Sequence, residues 1–492
     1  MRIWNAVVCI WLMTFFGSVA AEVSLPQTPA GQRAAEVLTQ LNLADKEQAK
    51  KFIENTFAPE FRDAFPMAMH LGVFTATGPM FGELEVFKVV SASENDISLL
   101  FNSVSRDAFI KIEISVEPDQ PHRITGMGIT PAQRPEGLDA RKTTDKAGKS
   151  KSNDTTAHLD LQSVDRVEMD KLLSVQADSN NFSGTVLVAK DGKPLFQNAY
   201  GYASRKFGIK NRLDTKFNLG SLNKLFTSIA ITQLIEQGKV SIDAQIGEYL
   251  DDFPDEIADK VTLRQLLQMR AGWGDYWGNE YFLAHRYELR QVSDYMDFIK
   301  LMPLDFEPGT NFQHCNTCFE VLGAVIESVS GMDYYEYVRQ NIYVPTGMED
   351  SGSFHRDSTV SNIATGYTNM NQYDSRGEDF QWTNDFMLPA RGTPTGGGFS
   401  TVGDFLKFDQ AFRNFELLDQ DHTEFAMSQF KGSPGDEFAP PGMATMMGGA
   451  SGIGALYARE SKSGITILIF SNLDFTATIE TFREMSELMG LN

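Results

Sequence analysis

Apolar residues recur along this chain with two different periods, and the periods divide it. At 34–41 and 46–57 they return every three to four residues, the spacing of a helix with one buried face. Four alternating runs follow at 83–90, 97–102, 108–116 and 123–129, each the pattern of a half-buried strand. Turn residues separate them, Pro118-Asp119-Gln120-Pro121 most plainly. Residues 22–133 therefore predict a small α+β domain with an antiparallel sheet and no obvious catalytic cluster. The stretch 134–160 is rich in Lys, Asp, Thr, Ser and Gly and almost without large apolar side chains. It predicts a flexible linker, because it can bury too little to offset the entropy of ordering.

The second unit, 161–492, opens with a helical pattern at 164–176. Strand patterns follow at 184–189 and 194–202, joined by the hairpin signal Asp191-Gly192. Its middle is mostly helical. Strand patterns return at 454–458 and 464–471, and a helix closes the unit at 476–489. Strands at both ends around a helical insertion predict one sheet assembled from the two ends.

Composition narrows the picture. A net charge of −22 argues against nucleic acid or anionic lipid as a partner. Arg2, the apolar core 6–16 and the small residues Gly17-Ser18-Val19-Ala20-Ala21 predict a cleaved export signal at 1–21. That core is too short to span a bilayer, so the mature chain is expected to lack a stable membrane span and to be periplasmic or secreted. Cys9 lies inside the apolar core, which argues against a lipid anchor there. The mature chain keeps Cys315 and Cys318. They are either two small residues at a helix start or a local disulfide. With His314 they supply too few ligands for zinc, and no metal or cofactor is expected.

The chemistry concentrates at Ser221-Leu222-Asn223-Lys224. Leu225, Phe226, Ile229, Ala230 and Leu234 recur at helical spacing up to Gly238, so Ser221 stands at a helix start with Lys224 one turn on. A lysine desolvated against an apolar helix loses basicity and becomes a usable base. The serine hydroxyl is a weak nucleophile until such a base takes its proton. A serine before an apolar helical run can equally be a plain cap. Ser-x-x-Lys alone is weak evidence, since Ser428-Gln429-Phe430-Lys431 also fits it without such flanks.

Several patches in one order carry a family resemblance. They include Tyr200-Gly201-Tyr202-Ala203, Phe217-Asn218-Leu219-Gly220-Ser221-Leu222-Asn223-Lys224, Pro308-Gly309-Thr310 with Asn316, Leu322-Gly323, Gly396-Gly397-Gly398-Phe399-Ser400-Thr401 and Phe470-Ser471-Asn472. Over nearly all of 165–490 the chain resembles the serine β-lactamase and penicillin-binding-protein superfamily, on the class C-like branch with D-amino-acid peptidases and esterases. The resemblance implies an antiparallel sheet flanked by helices, a helical subdomain, and a site in the cleft between them. It implies Ser221 as acyl-accepting nucleophile and Lys224 as its proton partner. In the family's Tyr-x-Asn motif, His314 stands for the tyrosine and Asn316 is kept. Histidine can move a proton near neutral pH, so His314 could replace the missing base. The rival reading is a decayed position.

The family's third motif falls on Met446-Met447-Gly448. Gly448 is kept, but Met446 cannot hold a substrate carboxylate as a lysine would help to do. The N–H groups of Ser221 and Gly449 are the expected oxyanion donors. Met269-Arg270-Ala271-Gly272 replaces a usual His-Thr-Ser-Gly. After it, Trp273, Asp275 and Tyr276 either shape an acyl pocket or anchor a loop. Thr401 to Asp404 fits a helix capping box, which gives Ser400 and Thr401 structural roles. The expectation is a serine hydrolase acting on a small-molecule or peptide substrate, more esterase- or peptidase-like than a true β-lactamase. The alternative is a catalytically weak relative that binds a ligand or partner through the cleft. Substrate identity and oligomeric state are not written in the sequence.

Overall fold

The computed structural model describes residues 24–64, 67, 70, 71, 73, 74, 82–103, 109–132, 164–369, 381–429, 440, 442–460 and 463–491. The expected export signal (1–21) and linker (134–160) lie outside them. The chain divides into two compact units, Met1–Lys151 and Ser152–Asn492.

In the first unit, helix α1 (Pro29–Leu43) starts where the Thr28 hydroxyl accepts from the Gly31 N–H at 3.2 Å. Helix α2 (Lys46–Thr56) is capped in the same way by Asp45. Strands β1 (Leu84–Ala92), β2 (Asp96–Ser103), β3 (Phe109–Val116) and β4 (Ile124–Ala132) form an antiparallel sheet in chain order. Leu99, Phe101, Ile112 and Ile114 of the sheet are buried together with Ala34, Val37 and Leu41 of α1. The two periods of the sequence meet in that core, which makes this unit α+β.

The second unit is also α+β. Helix α3 (Arg166–Asp178) begins two residues later than its pattern suggests, because Asp165 caps the N–H groups of Val167 and Glu168. Strands β5 (Gly184–Lys190) and β6 (Lys193–Tyr200) form a hairpin whose turn residues Asp191 and Gly192 take φ of 48° and 73°. The expected strand 194–202 stops at Tyr200, since Gly201 turns the backbone with φ 68°. The antiparallel five-stranded sheet runs β7 (Ala444–Ala450), β8 (Ile453–Glu460), β9 (Ile465–Ser471), β5, β6. It is built from both ends of the unit. The central strands β8 and β9 are buried along their whole length, because helices cover both faces. Met169, Leu173, Phe482 and Met485 pack on one face with Val186, Val188 and Ile467. On the other, Phe226, Phe405 and Phe408 pack with Leu187, Leu468 and Phe470.

Candidate active site

Gly220 adopts φ 50° and turns the chain into a 3-10 segment, Gly220–Asn223, that runs straight into helix α4 (Lys224–Glu236). Three residues of this helical path bring Lys224 over Ser221, and Nζ donates to Ser221 Oγ at 3.0 Å. Lys224 is only 2% exposed, because every residue from Lys224 to Leu234 is buried. Nζ also donates to Asn316 Oδ1 and to the Thr395 carbonyl, both at 2.7 Å. Burial lowers the lysine's pKa to about 7, while the charges of Asp275 and Glu320 pull the other way. A lysine with that pKa can take the serine proton at neutral pH.

Asn316 opens helix α5 (Asn316–Ser330). Its Oδ1 accepts from Lys224 and from Thr395 Oγ1 at 2.9 Å, and its Nδ2 donates to Asp275 Oδ2 at 2.6 Å. These contacts leave the amide one orientation. Cys315 caps the same helix, accepting from the Cys318 N–H at 3.0 Å, and the two cysteines form a disulfide. Of the two readings of this pair, the structure takes the disulfide.

His314 lines the cleft with a side chain 51% exposed. Its nearest ionic partner is Asp275, with Nδ1 to Oδ2 at 3.6 Å. Among the described residues it makes no hydrogen bond to Ser221 or Lys224, so its link to them runs through Asp275 and Asn316. Trp273 is fully buried, and its Nε1 donates to the Met302 carbonyl, so it anchors the loop. Tyr276 is buried too but borders the cleft beside Trp277.

Strand β7 passes close behind the serine turn. A Cβ on Gly448 would fall 1.9 Å from the Leu219 carbonyl oxygen and 2.7 Å from Ser221 N, so only glycine fits. A Cβ on Gly220 would lie 2.9 Å from Gly449 N, which places the Gly449 amide nitrogen beside the serine turn. Met446, on the same strand face as Gly448, is buried in the core and presents no polar group to the cleft. The Thr401 hydroxyl accepts from the Asp404 N–H at 3.1 Å. The Asp404 carboxylate accepts instead from the Asp350 N–H and the Ser351 hydroxyl, so only half the expected capping box forms. Ser400 Oγ meets Ser351 Oγ at 2.8 Å, a structural contact.

One residue outside the sequence reading joins the site, and one noted there gains a different role. Glu320 lies one turn after Asn316 and is fully buried, and its carboxylate accepts from the Tyr276 hydroxyl at 3.1 Å. Burial pushes its pKa up to about 8. The available signal was one acid inside the apolar run Phe319 to Ile326. Asp275, noted only as part of an aromatic loop, proves to be the hub between His314 and Asn316. The second Ser-x-x-Lys begins at the end of the helix Gln420–Ser428 and continues outside the described residues.

The cleft has a volume of about 410 Å³. Ser221, Asn316, His314 and Gly449 border it, with Tyr276, Trp277, Phe354 and Phe399 as aromatic walls. A serine hydroxyl against a desolvated lysine, with the Gly449 amide nitrogen near the serine turn, is an arrangement that can support acyl transfer. The sequence profile described as "Beta-lactamase" matches residues 169–487. The chain belongs to the beta-lactamase family.

Within that family the chain is 26% identical over 285 residues to "Penicillin-binding protein 4*" of Bacillus subtilis, covering 55% of this chain and 61% of that one. It is 32% identical over 181 residues to "Esterase EstB" of Burkholderia gladioli, covering 34% of this chain and 45% of that one. The chain thus spans less than two thirds of either relative. A penicillin-binding protein structure from Bacillus halodurans superposes with TM-score 0.55 at 29% identity, covering 64% of this chain and 99% of that one. A D-amino acid amidase structure from Ochrobactrum anthropi, at 18% identity, shares the fold with TM-score 0.53 over 65% of this chain and 97% of that one. No helix of the described residues is long and apolar enough to cross a membrane.

Proposed function

We propose that the second unit is a serine hydrolase that forms an acyl-enzyme at Ser221, and that the chain is exported to the periplasm or secreted. The observation that carries this reading is the 3.0 Å contact between Ser221 Oγ and a fully buried Lys224 Nζ. Neutral Lys224 takes the hydroxyl proton as Oγ bonds to the substrate carbonyl carbon. The N–H groups of Ser221 and Gly449 hold the oxyanion. Collapse breaks the bond to the leaving alcohol or amine, which receives the proton from Lys224. Water then attacks the acyl ester, releases the acid and restores Ser221. His314, on the open side with Asp275 behind it, is the second base: it takes that water's proton and returns it to Ser221 Oγ as the acyl bond breaks. Esters and peptide-like amides suit the cleft better than β-lactams, because Met446 leaves strand β7, beside the serine turn, without a cation where a β-lactam's carboxylate would sit. An esterase and penicillin-binding proteins among the relatives are in keeping with this range.

The test is to treat the purified full chain with a fluorophosphonate and a fluorescent penicillin and to locate the modified residue by mass spectrometry. Labelling of Ser221 by the fluorophosphonate, abolished in Ser221→Ala with the fold intact, is expected. Equal labelling of the Ala variant would sink the assignment. A folded protein that neither probe modifies would favour the binding-only alternative. The ranking of substrates fails if any penicillin shows a higher kcat/KM than 4-nitrophenyl butyrate.

A further inference from the structure

One wall of the cleft carries cations. Arg356 is occupied, with Nη1 donating to the Leu388 carbonyl at 2.9 Å and Nη2 to Asp385 at 3.3 Å. Arg290, outside the lining but in contact with the lining residue His355, is occupied by Asp357 at 2.6 Å. Arg391 differs. Its Nε donates to the Ser353 carbonyl at 2.8 Å, and its guanidinium lies 3.3 Å from the ring centroid of Tyr335. Among the described residues no carboxylate stands within ion-pair distance of it, and neither Nη group has an acceptor. Asp333 acts on it only at a distance, without an ion pair, and burial still makes the charge costly. Ring and carbonyl fix the guanidinium while the paired Nη donors stay unused, the arrangement that suits a planar oxyanion from outside.

Its position ties it to the nucleophile. Arg391 lines the same cleft as Ser221. The chain from Arg391 leads within four residues to Thr395, whose carbonyl holds Lys224, a span of at most ~14 Å. Two residues later the Gly397 N–H donates to the Gly220 carbonyl at 3.2 Å. Met446 withholds a cation from the strand side, and Arg391 supplies one from another wall.

We propose that Arg391 selects the substrate: it takes, through its Nη groups, a carboxylate carried by the ester or amide that Ser221 attacks. This rests on the hydrolase reading of the cleft. The carboxylate belongs either to the acyl part or to the leaving group, and two arms of one experiment separate these sources. In the first, 4-nitrophenyl hydrogen glutarate is compared with 4-nitrophenyl pentanoate. In the second, 3-(butyryloxy)benzoate is compared with phenyl butyrate.

With the wild-type full chain, the anionic member of one pair should show a kcat/KM higher by roughly 10- to 100-fold. Arg391→Gln should collapse that ratio, Arg391→Lys should keep part of it, and raised salt should narrow it. No preference in either arm overturns the inference, and so does a preference that survives in folded Arg391→Gln. If the wild type turns over no ester and takes no fluorophosphonate, the hydrolase reading fails instead. Calorimetric titration with monomethyl glutarate and with 3-hydroxybenzoate then decides Arg391 separately. Saturable binding of either, lost in Arg391→Gln, supports the anion site, and no binding of either overturns it.

Discussion

A lysine is a base only while it lacks its proton, and at Lys224 burial makes that state accessible near neutrality. Activity should therefore fall tenfold per pH unit below about 7, as Nζ protonates. His314→Ala tests whether that limb belongs to Lys224. The limb is expected to persist with a lower kcat, because Lys224 is the group touching Ser221. Its disappearance from the pH profile would hand the base role to His314. Glu320 acts with the opposite sign. Burial raises its pKa from 4.5 to about 8, so its contribution to stability is complete below 4.5 and is lost as pH rises through 8. Glu320→Gln should flatten that fall in melting temperature between pH 4.5 and 8, and a wild-type slope in the variant would show that another group is responsible. Ser221 and Lys224 were legible in the sequence from their one-turn spacing at a helix start, and Asn316 from the family resemblance. Asp275, Glu320 and Arg391 were not, because their partners come from loops and helices distant in the chain.

At the scale of elements, the site is a crossing of α4, the start of α5 and the edge strand β7. The apolar runs of β5, β8 and β9 announced themselves, as did the helical period of α4. Strand β7 did not stand out by pattern, since Gly448 and Gly449 interrupt it, and only its place in the family motifs marked it. The same glycines explain why the strand can lie so near the serine turn. Gly448→Ala pushes a methyl group into the backbone of Leu219 to Leu222. It should cost at least ~1–3 kcal/mol and strongly slow fluorophosphonate labelling. Chemical denaturation and labelling rates check this, and a variant that labels at the wild-type rate would mean that the strand can back away.

At the scale of the whole molecule, the two units have separate cores, and each periodicity predicted its own. A chain beginning at Leu159 should be soluble and should label at Ser221 like the full chain. Aggregation, or loss of all labelling that the full chain shows, would mean that the second unit depends on the first. The linker at 134–160 remains an expectation from composition, since it lies outside the described residues. One consequence follows from the burial of α4 on every side. The helix that continues from the turn of Ser221 and carries Lys224 is also the central beam of the second unit, buried from Lys224 to Leu234. Loosening of that core displaces Lys224 before it exposes new chemistry. The rate at which a probe acylates Ser221 should then serve as a gauge of folding, so that heat inactivation tracks the melting of this unit rather than preceding it.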